Sequence, residues 1–175
     1  MELVGRMMDG TISYADRGEL EPVPSASSIK QDEKMERLEA VPLFAACTRR
    51  QLRAVARIAE SFDAAADTVL IRAGEPGDEF YLIVEGTARV HVSATKRLRL
   101  RAGDFFGEMS LLDGEPRSAT VVAETSLRLL VIGRRNFLEL FDKVPGMAPT
   151  LLATLSRRVR RAEHAIDVSR HRVRR

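Results

Sequence analysis

Cysteine is nearly absent: Cys47 stands alone in 175 residues. That excludes an intrachain disulfide and any cysteine-rich metal site, and reads as a small buried hydrophobe in a cytosolic protein. Histidine is almost as scarce, with His91 in a strand-like stretch and His164 and His171 near the C-terminus. A jelly-roll metalloenzyme needs two or three histidines and a carboxylate converging inside the barrel, and a nucleophilic triad needs a histidine beside its nucleophile. Neither can be assembled here, so redox or hydrolytic catalysis is not expected and the chain reads as a non-enzyme. No run approaches the roughly 18 apolar residues of a membrane span. The opening MELVGRMMDG lacks the basic start and apolar stretch of a secretory signal.

What is present is ordinary globular material, 45% hydrophobic and 30% charged, enough for one domain with a real core. The charge is uneven. Residues 157–175 hold eight arginines against Glu163 and Asp167, a local +6, which leaves −3 for the rest of a chain whose net charge is +3. A basic tail can meet nucleic acid or anionic lipid, or form a solvated helix face. It lacks the interleaved aromatics that stack single strands.

Residues 1–30, with EPVPSASSIK, read as a flexible N-terminal segment. Helical spacing begins near Gln31 and stops at Val41-Pro42. Thr48 and Gln51 form a capping box for a second helix reaching about Ser61. From Phe62 the pattern changes to short β-branched and aromatic runs between glycine-bearing turns, at Gly74–Gly77 and Glu85-Gly86. Strands continue through RLRLRAGDFFGE, SATVVAE and SLRLLVI. This rhythm indicates an antiparallel barrel or jelly roll. A short helix around Phe137–Phe141 ends near Pro145-Gly146, and a long basic helix fills 147–175. The second of three parts is thus 31–146, with helical lead-in, roll and short helix. In the last helix Leu152, Leu155, Val159, Ala162, Ile166, Ser169 and Val173 alternate in steps of three and four. That a/d seam suits a homodimer as well as packing on the chain's own barrel.

One segment stands apart: FFGEMSLLDGEPRSATVV, residues 105–122, places Glu108 and Arg117 in an otherwise apolar or small stretch. Gly107-Glu108-Met109-Ser110-Leu111-Leu112 can wind into one helical turn after a strand, offering backbone N–H groups to an anion. Gly107 allows close backbone approach. Pro116 stiffens the return, and Arg117, opening the next strand, can grip two phosphate oxygens through its planar fork. A carboxylate beside a phosphate makes sense if it accepts hydrogen bonds from sugar hydroxyls on the same ligand. Two readings remain: a ribose phosphate pocket, or a Glu108–Arg117 salt bridge tying two turns together.

FGEMSLLDGEPRSATV resembles the phosphate-binding cassette of the cyclic nucleotide-binding domain family, matching F-G-E, L-L, P-R and A-T-V without a gap. The similarity extends to IRAGEPGDEFYLIVEGTARV and LRAGDFFGE and covers about residues 41–161. It implies a mainly β fold with flanking helices: an eight-stranded antiparallel β-roll, N-terminal helices and two C-terminal helices. It implies that Glu108 takes the ribose 2′-hydroxyl and Arg117 the cyclic phosphate. Gly107, Ser110 and Ser118 then line the phosphate, with Met109 in the same turn, and Ala119 and Thr120 shape the strand under the base. Arg158, with Val159 and Ala162, lies in the part of the last helix that covers the base. Cyclic AMP is the expected ligand and cyclic GMP the alternative, since Ser118 falls between the residues that accompany each. The resemblance implies a sensor or regulatory module acting on an effector protein. The helix-turn-helix domain of the catabolite activator type is not expected, as the chain stops at Arg175. The rivals are an interaction module that has lost its ligand, and nucleic-acid binding through the arginine tail.

Overall fold

The computed structural model describes residues 30–92 and 97–172, with side chains up to Arg160. The described residues fall into two compact units, 59–135 and 30–58 with 136–172.

The first unit is the β-roll. Its strands are β1 (Glu60–Ala64), β2 (Val69–Ile71), β3 (Glu79–Glu85), β4 (Thr87–His91), β5 (Arg97–Arg101), β6 (Phe105–Phe106), β7 (Thr120–Ala123) and β8 (Leu127–Gly133). They form two four-stranded antiparallel sheets, ordered β1-β8-β3-β6 and β2-β7-β4-β5. The eight-stranded architecture expected from the family resemblance is the one observed. Alternation in β3 sends Tyr81 and Ile83 into the apolar interior with Leu129 and Val131 of β8 and Phe106 of β6. From the second sheet, Leu70, Ala88, Val121 and Ala123 face them. Phe80 and Leu82, on the opposite side of β3, are also buried, which explains why FYLIV is apolar at every position. Gly86 turns β3 into β4 at φ +90°, where an added Cβ would lie 2.3 Å from the Ser126 carbonyl oxygen. Only glycine fits that turn.

The outer face of the second sheet is polar. Arg99 grips Glu124 with both ends of its fork, Nη2 to Oε1 at 2.7 Å and Nε to Oε2 at 2.6 Å. This bond, with Arg89 close by, holds the Glu124 carboxyl below the usual carboxylate range.

The second unit is helical. Its elements are α1 (Gln31–Glu39), a 3-10 turn at Pro42–Phe44, α2 (Arg49–Ile58), the greater part of α4 (Arg134–Lys143) and α5 (Met147–Arg172). The expected capping box is formed: Thr48 N–H donates to Gln51 Oε1 at 2.8 Å, and Gln51 N–H to Thr48 Oγ1 at 3.3 Å. The Gln51 amide then donates to the Lys143 carbonyl at 2.9 Å, tying α2 to the end of α4. The helix stops earlier than Ser61, at Ile58, because β1 begins at Glu60. Leu152 and Val159, the first and third residues of the proposed seam, are 64% and 56% exposed, while Met147 and Leu151 carry the buried stripe. The seam beyond Arg160 lies outside the described side chains. No described helix is long and apolar enough to cross a membrane.

Candidate functional site

The segment 105–122 runs from β6 through a six-residue helix, α3 (Glu108–Asp113), to β7. Left-handed glycines bracket that helix, Gly107 at φ +86° and Gly114 at φ +76°. The Gly114 N–H closes the last turn on the Ser110 carbonyl at 3.1 Å, a glycine C-cap. Asp113 Oδ1 then accepts from Glu115 N–H at 2.9 Å, which turns the chain ahead of Pro116. The helix buries Glu108, Ser110 and Leu111 and exposes Met109 and Leu112.

Arg117 does not open a strand, as the sequence suggested; β7 starts three residues later, at Thr120. It bridges instead to the turn between β2 and β3. Its N–H donates to the Glu75 carbonyl and its carbonyl accepts from Gly74 N–H, both at 2.8 Å. The backbone is thereby fixed before the side chain begins. The guanidinium then turns inward and is 4% exposed as a residue. Nη1 donates to the Gly107 carbonyl at 2.8 Å and Nη2 to the Glu79 carbonyl at 2.9 Å. The carboxylate set against it is Glu79, with Nη2 to Oε2 at 3.4 Å, whereas the sequence offered Glu108 as its ion-pair partner. Tyr81, stacked on Phe106 at 4.9 Å, places its ring 6.0 Å from the guanidinium carbon.

Two glycines make room for this arrangement. A Cβ on Gly77 would lie 1.8 Å from Arg117 Nε and 2.1 Å from its Cζ. One on Gly107 would lie 2.7 Å from the Glu79 carbonyl oxygen and 2.8 Å from Arg117 Nη1. Gly77 and Glu79 were missed as site residues. The signal for Glu79 was present, a charged residue in phase with Tyr81 and Ile83 on the interior side of an apolar strand. Gly77 gave none, since its neighbour Arg117 is forty residues away.

Glu108, 1% exposed, is the first residue of α3, adjacent to the Gly107 that Arg117 holds. Ser118 is exposed, and its hydroxyl approaches Met109 Sδ at 3.5 Å. Ala119 and Thr120 are half-buried, with Thr120 Oγ1 accepting from Ala73 N–H at 3.0 Å. Gly107, Glu108, Met109, Ser110 and Arg117 to Thr120 therefore lie in one unit. Arg158 is half-exposed on α5 in the helical unit, and the Ala162 side chain lies outside those described. Among the described residues no cluster of His, Cys, Asp or Glu could hold a metal ion.

Comparison with known proteins matches residues 62–144 to the family described as cyclic nucleotide-binding domain. Over 109 residues the chain is 40% identical to a cyclic nucleotide-gated potassium channel of Mesorhizobium japonicum, covering 62% of this chain and 30% of the channel. It is 33% identical over 110 residues to a cAMP-dependent protein kinase regulatory subunit of Hypocrea atroviridis, covering 63% and 24%. The chain thus spans less than a third of these relatives' length. Among solved structures, the catabolite activator protein of Thermus thermophilus superposes with a TM-score of 0.65 at 30% identity, covering 73% of this chain and 62% of that one. A cyclic nucleotide-binding domain from Methylobacillus flagellatus gives 0.63 at 27% identity, covering 78% and 82%. The family match begins within β1 and ends just past α4, so that it takes in the whole of segment 105–122: residues 62–144 belong to the cyclic nucleotide-binding domain family.

Proposed function

We propose that this chain is a cyclic nucleotide sensor, with cyclic AMP as its ligand, that regulates an effector protein and performs no chemistry on what it binds. The observation that carries this reading is the buried Arg117, aimed by two backbone carbonyls toward the same short segment that presents Glu108. A guanidinium has five N–H donors, so two carbonyl contacts are compatible with a further grip on phosphate oxygens. Because two backbone carbonyls set its direction, little ordering is left for binding to supply. Glu108 accepts from the ribose 2′-hydroxyl, and Gly107, Ser110 and Ser118 line the phosphate. Met109 and Ala119 flank it, Thr120 lies under the base, and Arg158 is the residue we assign to the base. The cAMP-bound solved structure of a kinase regulatory domain from Toxoplasma gondii, which superposes at a TM-score of 0.65 and 25% identity, supports the choice of ligand.

Transmission follows from linkage. A ligand that prefers one arrangement of α4 and α5 shifts the population toward it, and a preference of about 1–3 kcal/mol is enough for a modest switch. We place the protein in the cytoplasm and expect the α5 seam to pair with a second copy, which size measurements on the chain with and without residues 157–175 will read.

Calorimetric titration of cyclic AMP and cyclic GMP into the wild type and Arg117→Ala tests the reading. The wild type is expected to bind, and the variant to lose on the order of 2–5 kcal/mol. No heat and no thermal shift at millimolar ligand in the wild type would refute it.

A further inference from the structure

Three charged side chains are buried among the described residues: Arg117, Glu79 and Glu108. All three lie in the β-roll unit, and Arg117 contacts Glu79 through Nη2 and Gly107, the neighbour of Glu108, through Nη1. Their formal charges are +1, −1 and −1. A site meant only to attract phosphate would carry net positive charge, yet this one is formally −1. Glu108 has a role in the proposed function, as acceptor for a sugar hydroxyl. Glu79 has none.

We infer that Glu79 is a charge filter for the phosphate site: it selects a singly charged phosphodiester and excludes a doubly charged phosphomonoester of the same nucleoside. The inference rests on the sensor reading above. Glu79 sits at the start of β3, opposite Gly133 of β8, and shares the interior face of the strand with Tyr81 and Ile83. Its carbonyl aims Arg117 at 2.9 Å, while its carboxylate lies beyond at 3.4 Å, outside the range of a tight charged hydrogen bond. The backbone contact positions the arginine for any residue at 79. The side chain adds a longer contact to the same guanidinium and a negative charge at a buried position.

A cyclic phosphodiester brings one negative charge into this site. Hydrolysis of that ring leaves a phosphomonoester with close to two charges at neutral pH. With Glu79 ionised, Arg117 is already neutralised, so the second charge meets a carboxylate with no second buried cation among the described residues. A sensor that must ignore the hydrolysed form of its own ligand gains that discrimination from one residue.

The experiment compares Kd for cyclic AMP and for 5′-AMP in the wild type, Glu79→Gln and Glu79→Asp at pH 8, with a melting curve for each. Glu79→Gln keeps the backbone carbonyl and a polar side chain and removes the charge. It is expected to tighten 5′-AMP more than cyclic AMP, shrinking the ratio of the two constants by about tenfold or more. Glu79→Asp, which keeps the charge, is expected to hold the wild-type ratio. A merely structural role would move both constants together and leave their ratio unchanged. Should Glu79→Gln fail to fold, Glu79→Thr reads the same ratio from a residue suited to a strand. An unchanged ratio in the neutral variants overturns the filter and leaves the sensor standing. A wild type that takes neither nucleotide overturns both.

Discussion

Gly77→Ala adds one methyl group behind Arg117 and tests whether the arginine is held as described. The new Cβ would fall 1.8 Å from Arg117 Nε, and ordinary contact needs about 3.4 Å, so the guanidinium must retreat by about 1.6 Å. An exposed arginine would swing aside at little cost. This one is buried and held at 2.8 and 2.9 Å by the Gly107 and Glu79 carbonyls. A retreat of that size breaks both bonds, each worth about 1.5–3 kcal/mol to a charged donor. If the arginine leaves altogether, Glu79 is stranded as a buried charge, which costs about 3–5 kcal/mol. Either route gives a loss of about 3–6 kcal/mol, or a fall in Tm of order 10 °C for a chain of this size. Gly74→Ala is the internal control. It lies in the same turn at φ +85° with nothing within 4 Å of its Cβ, so it suffers only the left-handed penalty of about 1–2 kcal/mol. Scanning fluorimetry and cyclic AMP titration on both variants give the comparison. Gly74→Ala should bind like the wild type with a slightly lower Tm, and Gly77→Ala should melt much lower and lose binding. A Gly77→Ala protein within about 2 °C of wild type, with intact affinity, refutes the claim that Arg117 is held in place by the Gly107 and Glu79 carbonyls.

Two further outcomes follow from groups outside the site. Glu124 titrates below its ordinary value in the folded state because of Arg99, so its contribution is present above the unfolded value of 4.5 and fades as pH falls through the folded one. Glu124→Gln should therefore melt slightly below wild type at pH 7, with the gap closing as pH falls below 4.5; a gap that is constant with pH contradicts the assignment. Burial raises the Cys47 thiol above its ordinary value, leaving less thiolate at pH 8. Iodoacetamide should label the folded protein more slowly than the denatured chain, and equal rates would show that the thiol is not shielded.

The elements legible from sequence are those with a local cause. The Thr48–Gln51 box closes within three residues, and the structure bonds both of its arms. Gly86 and Gly107 occupy left-handed positions that side chains resist, and each marks a turn between regular elements. Met147 starts α5 because Pro145-Gly146 interrupts what precedes it. Where the sequence reading slipped, the deciding partner was distant. A strand beginning at Arg117 is a fair reading of PRSATVV, yet its backbone pairs with Gly74 and Glu75 before the β7 ladder starts, and that pairing displaces the strand's first residues.

The same difference explains what was missed at the site. Glu108 and Arg117 stand nine residues apart and suggest each other on sight. The ion pair formed is with Glu79, 38 residues upstream, because the roll brings the start of β3 beneath the loop ahead of β7. Sequence proximity favours the nearer carboxylate, whereas the backbone rewards the farther one. Arg117 must satisfy the Gly107 and Glu79 carbonyls at once, and only a side chain lying over the start of β3 reaches both. Parity then decides the rest. With Tyr81 and Ile83 committed to the interior, residue 79 has no choice of face, and a glutamate there is obliged to enter the site. A charged residue in phase with the core side of a buried strand is costly unless it is paired. Its presence in an apolar run therefore asks for a cation somewhere in the chain, and the arginine following Pro116 is the one that answers.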